Sequence, residues 1–372
     1  MAEALVEALI DLKKHSSLIY AEGVFGLEAR KKFPMRSKTA DGVLRYANYK
    51  ITGVIDSTSR EHRVGDVLPV YLAGTKNFSV PIFKDIKGAT AATHSRVLIL
   101  GSAPEGGELP KAWRSDIAWA LKNKIHIVSG LHYGLNNDAY LRNLARKSRV
   151  LIWDTRIGKN CEDFQVASAM AYHIKKPIVL TVGTDAAIGK MTVTYEMHRA
   201  AQKLGLKSCV IPTGQTAIMI EGWGAAIDAL PADFMAGAVE KMLLENEKKA
   251  DIFFVEGQGS LFHPAYANTC ISLIHGAVPT HMVLVCRPQR KHSIGSKLIK
   301  LPDVKTAIEQ YEAAVLPSYR NTKVIGVALN SEGLSEKETG DWKKKTSREC
   351  GLPVFDALKD TQVITKVVQG II

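Results

Sequence analysis

The stretch from Pro177 to Leu204 constrains this chain most. Pro177-Ile-Val-Leu-Thr-Val182 is an apolar, β-branched run that reads as a strand. It passes at once into Gly183-Thr-Asp-Ala-Ala-Ile-Gly189-Lys190-Met191-Thr192 and then into a helical pattern through Leu204. A glycine turn between strand and helix aims backbone N–H groups at one point. The helix start adds its positive dipole and Lys190 a compact charge, so the turn is built for phosphate. The competing reading is a tight turn that contains two glycines and a lysine.

The loop departs from the G-x-x-x-x-G-K pattern twice. Gly183 to Gly189 is one residue longer, and Met191 stands where a Ser or Thr hydroxyl holds magnesium, with Thr192 one place late. The long Gly-Thr-Asp form resembles the loop of dethiobiotin synthetase, an ATP-dependent enzyme. Without the hydroxyl, metal-assisted phosphoryl transfer lacks an expected ligand, whereas a phosphate that serves only as a handle needs none. Gly183, Thr184, Asp185, Gly189, Lys190, Met191 and Thr192 are therefore the expected cofactor-binding residues. Asp185 would repel phosphate, and suits a metal, a substrate ammonium or the backbone amides of the turn.

The same alternation of short apolar runs and helical patterns recurs along the chain, the mark of a parallel sheet covered by helices. In the first half the strands are Ile51–Ile55, Val97–Leu100, Ile125–Val128 and Val150–Trp153, with helices over Lys111–Lys122 and Asp138–Lys147. The first forty residues read as a helix with an apolar stripe (Val6, Leu9, Ile10) and then an irregular arm. At roughly 150 residues per domain, the 372 residues make two α/β domains. We place them at 1–155 and 156–372, with the junction near 154–176.

Four strand ends of the second half carry polar groups at the carboxyl edge, where a parallel sheet presents its site. Cys209-Val-Ile-Pro212 leads to Thr213-Gly-Gln215-Thr216, and Asp251–Val255 leads to Glu256-Gly-Gln-Gly-Ser260 with His263 after it. His281–Cys286 leads to Arg287-Pro-Gln-Arg290, and Val324–Leu329 leads to Asn330. Glu256 is a candidate base or metal ligand, or else a carboxylate on a helix start. His263 is a proton shuttle or a packed ring beside Pro264. Arg287 and Arg290 suit a carboxylate or phosphate clamp, or a solvated basic turn. Asp228 and Asp233 mark a substrate loop, or Asp233 is an N-cap before Phe234. In the first half, Gly101–Gly107 resembles a dinucleotide turn only loosely because G-x-G-x-x-G is missing, and His132 is a further polar strand-end residue.

The net charge of +12 favours anionic partners, but no nucleic-acid motif accompanies it, so phosphate affinity and surface character account for it. The five cysteines are widely spaced with no C-x-x-C, which argues against disulfides and zinc and for a reducing cytoplasm. No resident metal is expected. Acidic residues stand where a secretory signal needs bases, and no apolar run approaches the ~18 residues of a membrane span. A homo-oligomer is the default for a metabolic enzyme.

Taken together, the blocks Val97-Leu-Ile-Leu-Gly-Ser-Ala-Pro104, Ser129-Gly-Leu-His132, Val182-Gly-Thr-Asp185, Gly189-Lys-Met-Thr192, Thr213-Gly-Gln-Thr216, Glu221-Gly-Trp-Gly224 and Val255-Glu-Gly-Gln-Gly-Ser-Leu-Phe-His-Pro264 carry a resemblance. They resemble the family long catalogued as a domain of unknown function, whose characterised members are D-glutamate N-acetyltransferases. The resemblance implies a Rossmann-like amino-terminal domain and a P-loop-like carboxy-terminal domain. It further implies acetyl transfer from acetyl-CoA to the amine of a D-amino acid. Coenzyme A phosphates need binding without cleavage, which suits Met191. On this reading Glu256 or His263 is the catalytic base, and Gln215, Arg287 and Arg290 are substrate-binding. The alternatives are an ATP- and magnesium-dependent ligase or kinase acting on a small carboxylate, and a non-catalytic nucleotide-binding regulator.

Overall fold

A computed structural model describes residues 10–33, 36–68, 77–102, 109–156, 164–315 and 320–372. The chain divides into two compact units, Met1–Lys159 with Gln215–Ala226, and Asn160–Gly214 with Ile227–Ile372.

In the first unit the described strands are β1 (Ser17–Tyr20), β2 (Ile51–Ile55), β3 (Ile82–Phe83), β4 (Val97–Leu100), β5 (His126–Ser129) and β6 (Ile152–Asp154). They form one parallel sheet in the order β3-β2-β1-β4-β5-β6. The central strand, β1, lies where the sequence suggests an irregular arm. Ser17–Tyr20 holds only two aliphatic residues where Val97–Leu100 holds four, and pairing with β2 and β4 on both sides makes this segment a strand. Leu18 and Tyr20 enter a core with Leu98, Ile117, Leu121 and Ile127. Each such side chain contributes about 1.5–3 kcal/mol on burial. Val6 and Leu9 lie outside the described residues, and Ile10 is buried.

The helix over Lys111–Lys122 stands as its spacing suggests, burying Trp113, Ile117, Ala118 and Leu121. The next helix starts at Ala139, because the Asp138 carboxylate accepts from the N–H groups of Tyr140 (2.9 Å) and Leu141 (3.2 Å) as its N-cap. Helix Gln215–Glu221 comes from the second half of the sequence yet packs in this unit against helix Lys38–Tyr46. The Thr39 and Thr216 hydroxyls meet at 3.1 Å, and the Tyr49 hydroxyl donates to the Met219 carbonyl at 2.8 Å.

The second unit is built on β7 (Ile178–Gly183), β8 (Ser208–Ile211), β9 (Ile252–Val255), β10 (His281–Cys286), β11 (Lys323–Leu329) and β12 (Val354–Asp356). These strands are parallel in the order β12-β11-β10-β7-β9-β8. Val179, Phe254, Val283 and Phe355 pack against Val193 and Met197 of helix Lys190–Lys203. Because β10 and β9 flank β7, the turns after these three strands lie side by side along one edge. Asp233 is not an N-cap: Pro231 holds that position, its fixed φ suiting a helix start, and Asp233 sits in the first turn on the positive dipole.

Among the described residues no helix is long and apolar enough to cross a membrane. Cys209, Cys270, Cys286 and Cys350 are free thiols, and Cys161 lies outside the described residues.

Candidate active site

The phosphate-type turn opens at Gly183, the last residue of β7. Its shape needs left-handed backbone at Ala187 (φ 52°) and Gly189 (φ 107°), after which the helix begins at Lys190. Lys190 is buried, and its Nζ donates across the turn to the Asp185 carbonyl at 2.8 Å. The amine thus lies within the cradle that its N–H groups would offer a phosphate. Met191 follows Lys190 in the first helical turn. The nearby Thr194 hydroxyl is engaged with the Lys190 carbonyl (3.0 Å) and with Thr181 (2.9 Å).

Asp185 is fully buried, and its carboxylate is consumed by the protein itself. Oδ1 accepts from the Ala186 N–H (2.8 Å) and the Ser293 hydroxyl (3.2 Å), while Oδ2 accepts from the Ile294 N–H (2.8 Å) and Arg290 Nη1 (3.1 Å). Of its three sequence options, holding the turn is the one the contacts display. Arg290 Nη1 also donates to the Ala186 carbonyl at 2.7 Å, so this arginine clasps the turn. Arg287 stands at the end of β10, beside β7, and pairs with Glu332 at 3.3 Å.

Glu256 lies at the end of β9, on the other side of β7. Its Oε2 accepts from the N–H groups of Thr213 (3.1 Å) and Gly214 (2.9 Å), and the Thr213 hydroxyl donates to the Glu256 carbonyl at 2.6 Å. Thr213 and Gly214 follow β8, so two adjacent strand ends hold one carboxylate. Burial pushes its pKa up to about 7; the Thr213 and Gly214 bonds pull the other way, and Asp228 adds to the rise. A carboxyl group that titrates near neutrality can take a proton at physiological pH.

The segment after Glu256 is stitched to the phosphate-type turn. The Gly257 N–H donates to the Thr181 hydroxyl (2.9 Å), and the Ser260 hydroxyl donates to the Gly183 carbonyl (2.8 Å). A Cβ on Gly257 would lie 1.7 Å from the Thr181 carbonyl oxygen and 3.1 Å from Lys190 Cδ, so only glycine lets the two backbones approach this closely. Tyr311 completes the junction: its buried hydroxyl donates to the Gly183 carbonyl (2.6 Å) and accepts from the Leu261 N–H (3.2 Å). Sequence reasoning misses Tyr311, since nothing in a helix pattern shows that one tyrosine reaches a loop far away in the chain.

His263 is buried with both ring nitrogens engaged. Nδ1 accepts from the Ala265 N–H (3.1 Å), which leaves Nε2 to donate to the Ile294 carbonyl (3.1 Å), and the ring stacks on Tyr266 at 4.4 Å. Gln215 belongs to the first unit, where its side-chain oxygen accepts from Arg156 at 2.9 Å. His132 is exposed, and Gly101–Gly107 lies mostly outside the described residues. The Asn330 amide donates to the Ile188 carbonyl (3.1 Å), bracing the turn from the β11 side. Among the described residues no group of three or more His, Cys, Asp or Glu is placed to hold a metal ion.

In the first unit the corresponding turn, after β1, is filled by the chain itself. The Asp56 carboxylate at the end of β2 accepts from the N–H groups of Gly23 (3.1 Å), Phe25 (2.8 Å) and Gly26 (3.0 Å). In a sheet of this strand order that turn is where a dinucleotide pyrophosphate sits.

Two family models match the chain. A Rossmann-like domain of unknown function covers residues 63–158, and the P-loop domain of the same family covers 165–365. A D-glutamate N-acetyltransferase of a Pseudoalteromonas species is 34% identical over 267 residues, 72% of this chain and 79% of the relative. A D-glutamate N-acetyltransferase of Tritonibacter scottomollicae is 31% identical over 302 residues, 80% of this chain and 86% of the relative. A DUF1611 family protein from Anabaena variabilis, known as a crystal structure, is 34% identical with a TM-score of 0.84, covering 96% of this chain and 99% of its own. With the two models matching most of the chain, it belongs to the DUF1611 family, with a Rossmann-like amino-terminal domain and a P-loop carboxy-terminal domain.

Proposed function

We propose that this protein is an N-acetyltransferase that moves an acetyl group from acetyl-CoA to the amine of a D-amino acid, with D-glutamate as the acceptor. The observation that carries this reading is the pairing of Glu256, titrating near neutrality, with a phosphate-type turn whose magnesium hydroxyl is replaced by Met191. The names of the two relatives supply the reaction and the acceptor.

In this mechanism the turn from Gly183 to Thr192, with Lys190, holds coenzyme A phosphates that are bound and never cleaved. Glu256 takes a proton from the substrate ammonium. The free amine then attacks the thioester carbonyl, the C–N bond forms, the C–S bond breaks, and the proton that the nitrogen sheds in becoming an amide goes to the departing thiolate. Arg287 exchanges Glu332 for a substrate carboxylate, a bidentate match for a guanidinium.

The test is thiol release from acetyl-CoA against a panel of D- and L-amino acids, with ATP hydrolysis followed in parallel. Release that depends on D-glutamate and ignores ATP is the expected result. Magnesium-dependent ATP turnover without thiol release would replace this reading with ligase or kinase chemistry. Tight coenzyme binding with neither reaction would make the protein a nucleotide-binding regulator.

A further inference from the structure

Strands β4, β5 and β6 of the first unit end at Leu100, Ser129 and Asp154, and their opposite ends frame an open cavity of about 610 Å³. It is lined by His15, Arg96, Lys124, His126, Lys147 and Arg149, with Ser148 and Val150, and no carboxylate lies among its lining residues. The His15 and His126 rings face each other at 5.5 Å, tilted by 33°. The Leu151 N–H donates to His126 Nδ1 at 3.1 Å, which holds the ring at the cavity wall.

Several cations elsewhere in this unit pair with acids. Arg30 pairs with Asp41, and Arg114 pairs with Asp138 at 2.8 Å. Among the described residues, no ion pair engages Arg96, Lys124, Lys147 or Arg149. Four unneutralised cations around one cavity repel one another, and an anion between them removes that repulsion.

Cations at helix ends also complement the helix dipole, an effect worth about 0.3–1 kcal/mol each. Two of these residues come at a cost that matches or exceeds it. Lys124 (φ 60°) and Arg149 (φ 55°) both hold left-handed backbone after their helices, a conformation that costs a side-chain-bearing residue about 1–2 kcal/mol and glycine almost nothing. Arg96 and His126 sit at or beside strand starts, where no helix dipole is being complemented.

We propose that this cavity is a binding site for a small molecule carrying two or more phosphate groups. The volume and the spread of six basic side chains exceed what one phosphate would engage. The site lies at the amino ends of the strands of the first unit and is separate in sequence and unit from the turn at Gly183–Thr192.

The experiment is calorimetric titration of inorganic tripolyphosphate into the full-length protein carrying Lys190→Ala, which weakens the phosphate-type turn. Binding is expected, and it should weaken with added salt. Adding Lys124→Gly and Arg149→Gly should lower the affinity at least tenfold without lowering the melting temperature, since glycine suits both backbones. If that protein is less stable, Arg96→Ala with Lys147→Ala, two exposed positions with ordinary backbone, reads the same site. His15 and His126 ring signals should also shift when tripolyphosphate is added. Affinity within twofold of the Lys190→Ala parent in either double substitution, or no tripolyphosphate binding at all, would overturn the proposal.

Discussion

The Asp185 carboxylate and the Arg290 guanidinium, 3.1 Å apart and both largely shielded from water, tie the phosphate-type turn to the segment that follows β10. Arg290 also holds the Ala186 carbonyl, so one side chain secures the turn at two points. Arg290→Ala leaves a buried carboxylate short of a charged partner, which costs about 2–3 kcal/mol. A melting temperature lower by about 5–10 °C is the expected outcome. Coenzyme A affinity should fall with it, measured by calorimetry, and Arg290→Lys should recover only part of both.

Glu256 gives the pH dependence its sign. Its folded pKa of about 7 lies above the ordinary carboxylate value of 4.5, so between these values the folded protein binds the proton that the unfolded chain has released. Stability therefore falls as pH rises through this window, by about 3 kcal/mol in all, and stays low above it. Glu256→Gln should flatten that dependence and raise the melting temperature at pH 8. In the proposed reaction, kcat/KM should rise about tenfold per pH unit below 7 and level off above it. The same substitution should remove at least ~100-fold of the rate together with that limb.

Gly257→Ala tests the close approach of the segment after β9 to β7. The added Cβ meets the Thr181 carbonyl oxygen at 1.7 Å, which forces backbone to move and should cost about 3 kcal/mol or more. Gly340→Ala is the control. Nothing lies within 4 Å of that Cβ, in a helix, so urea denaturation should show it unchanged or more stable by up to ~1 kcal/mol.

Asp56→Asn tests the filled turn of the first unit. An amide nitrogen cannot accept, so at least one pair of N–H groups among Gly23, Phe25, Gly26 and Thr58 loses its partner. Destabilisation by about 2–3 kcal/mol is expected in urea titrations. Increased amide hydrogen exchange at Phe25 and Gly26 would place the loss at the turn.

Much of this was legible in the sequence because it rests on local rules. The strand into Gly183, the turn and the helix from Lys190 are one continuous stretch whose chemistry needs no distant partner. The same holds for the Lys111–Lys122 helix and the run that became β10. Parallel α/β architecture follows from the alternation of such pieces. Tertiary structure decided the rest. Ser17–Tyr20, with only two aliphatic residues, does not announce a strand and becomes the centre of a sheet only between β2 and β4. Asp185 carries no mark of its partners, because Arg290, Ser293 and Ile294 arrive from over a hundred residues away. The proton affinity of Glu256 is likewise no property of the residue. It is set by desolvation, and the depth of water exclusion around one carboxylate exists only once β7, β8 and β9 have been brought side by side.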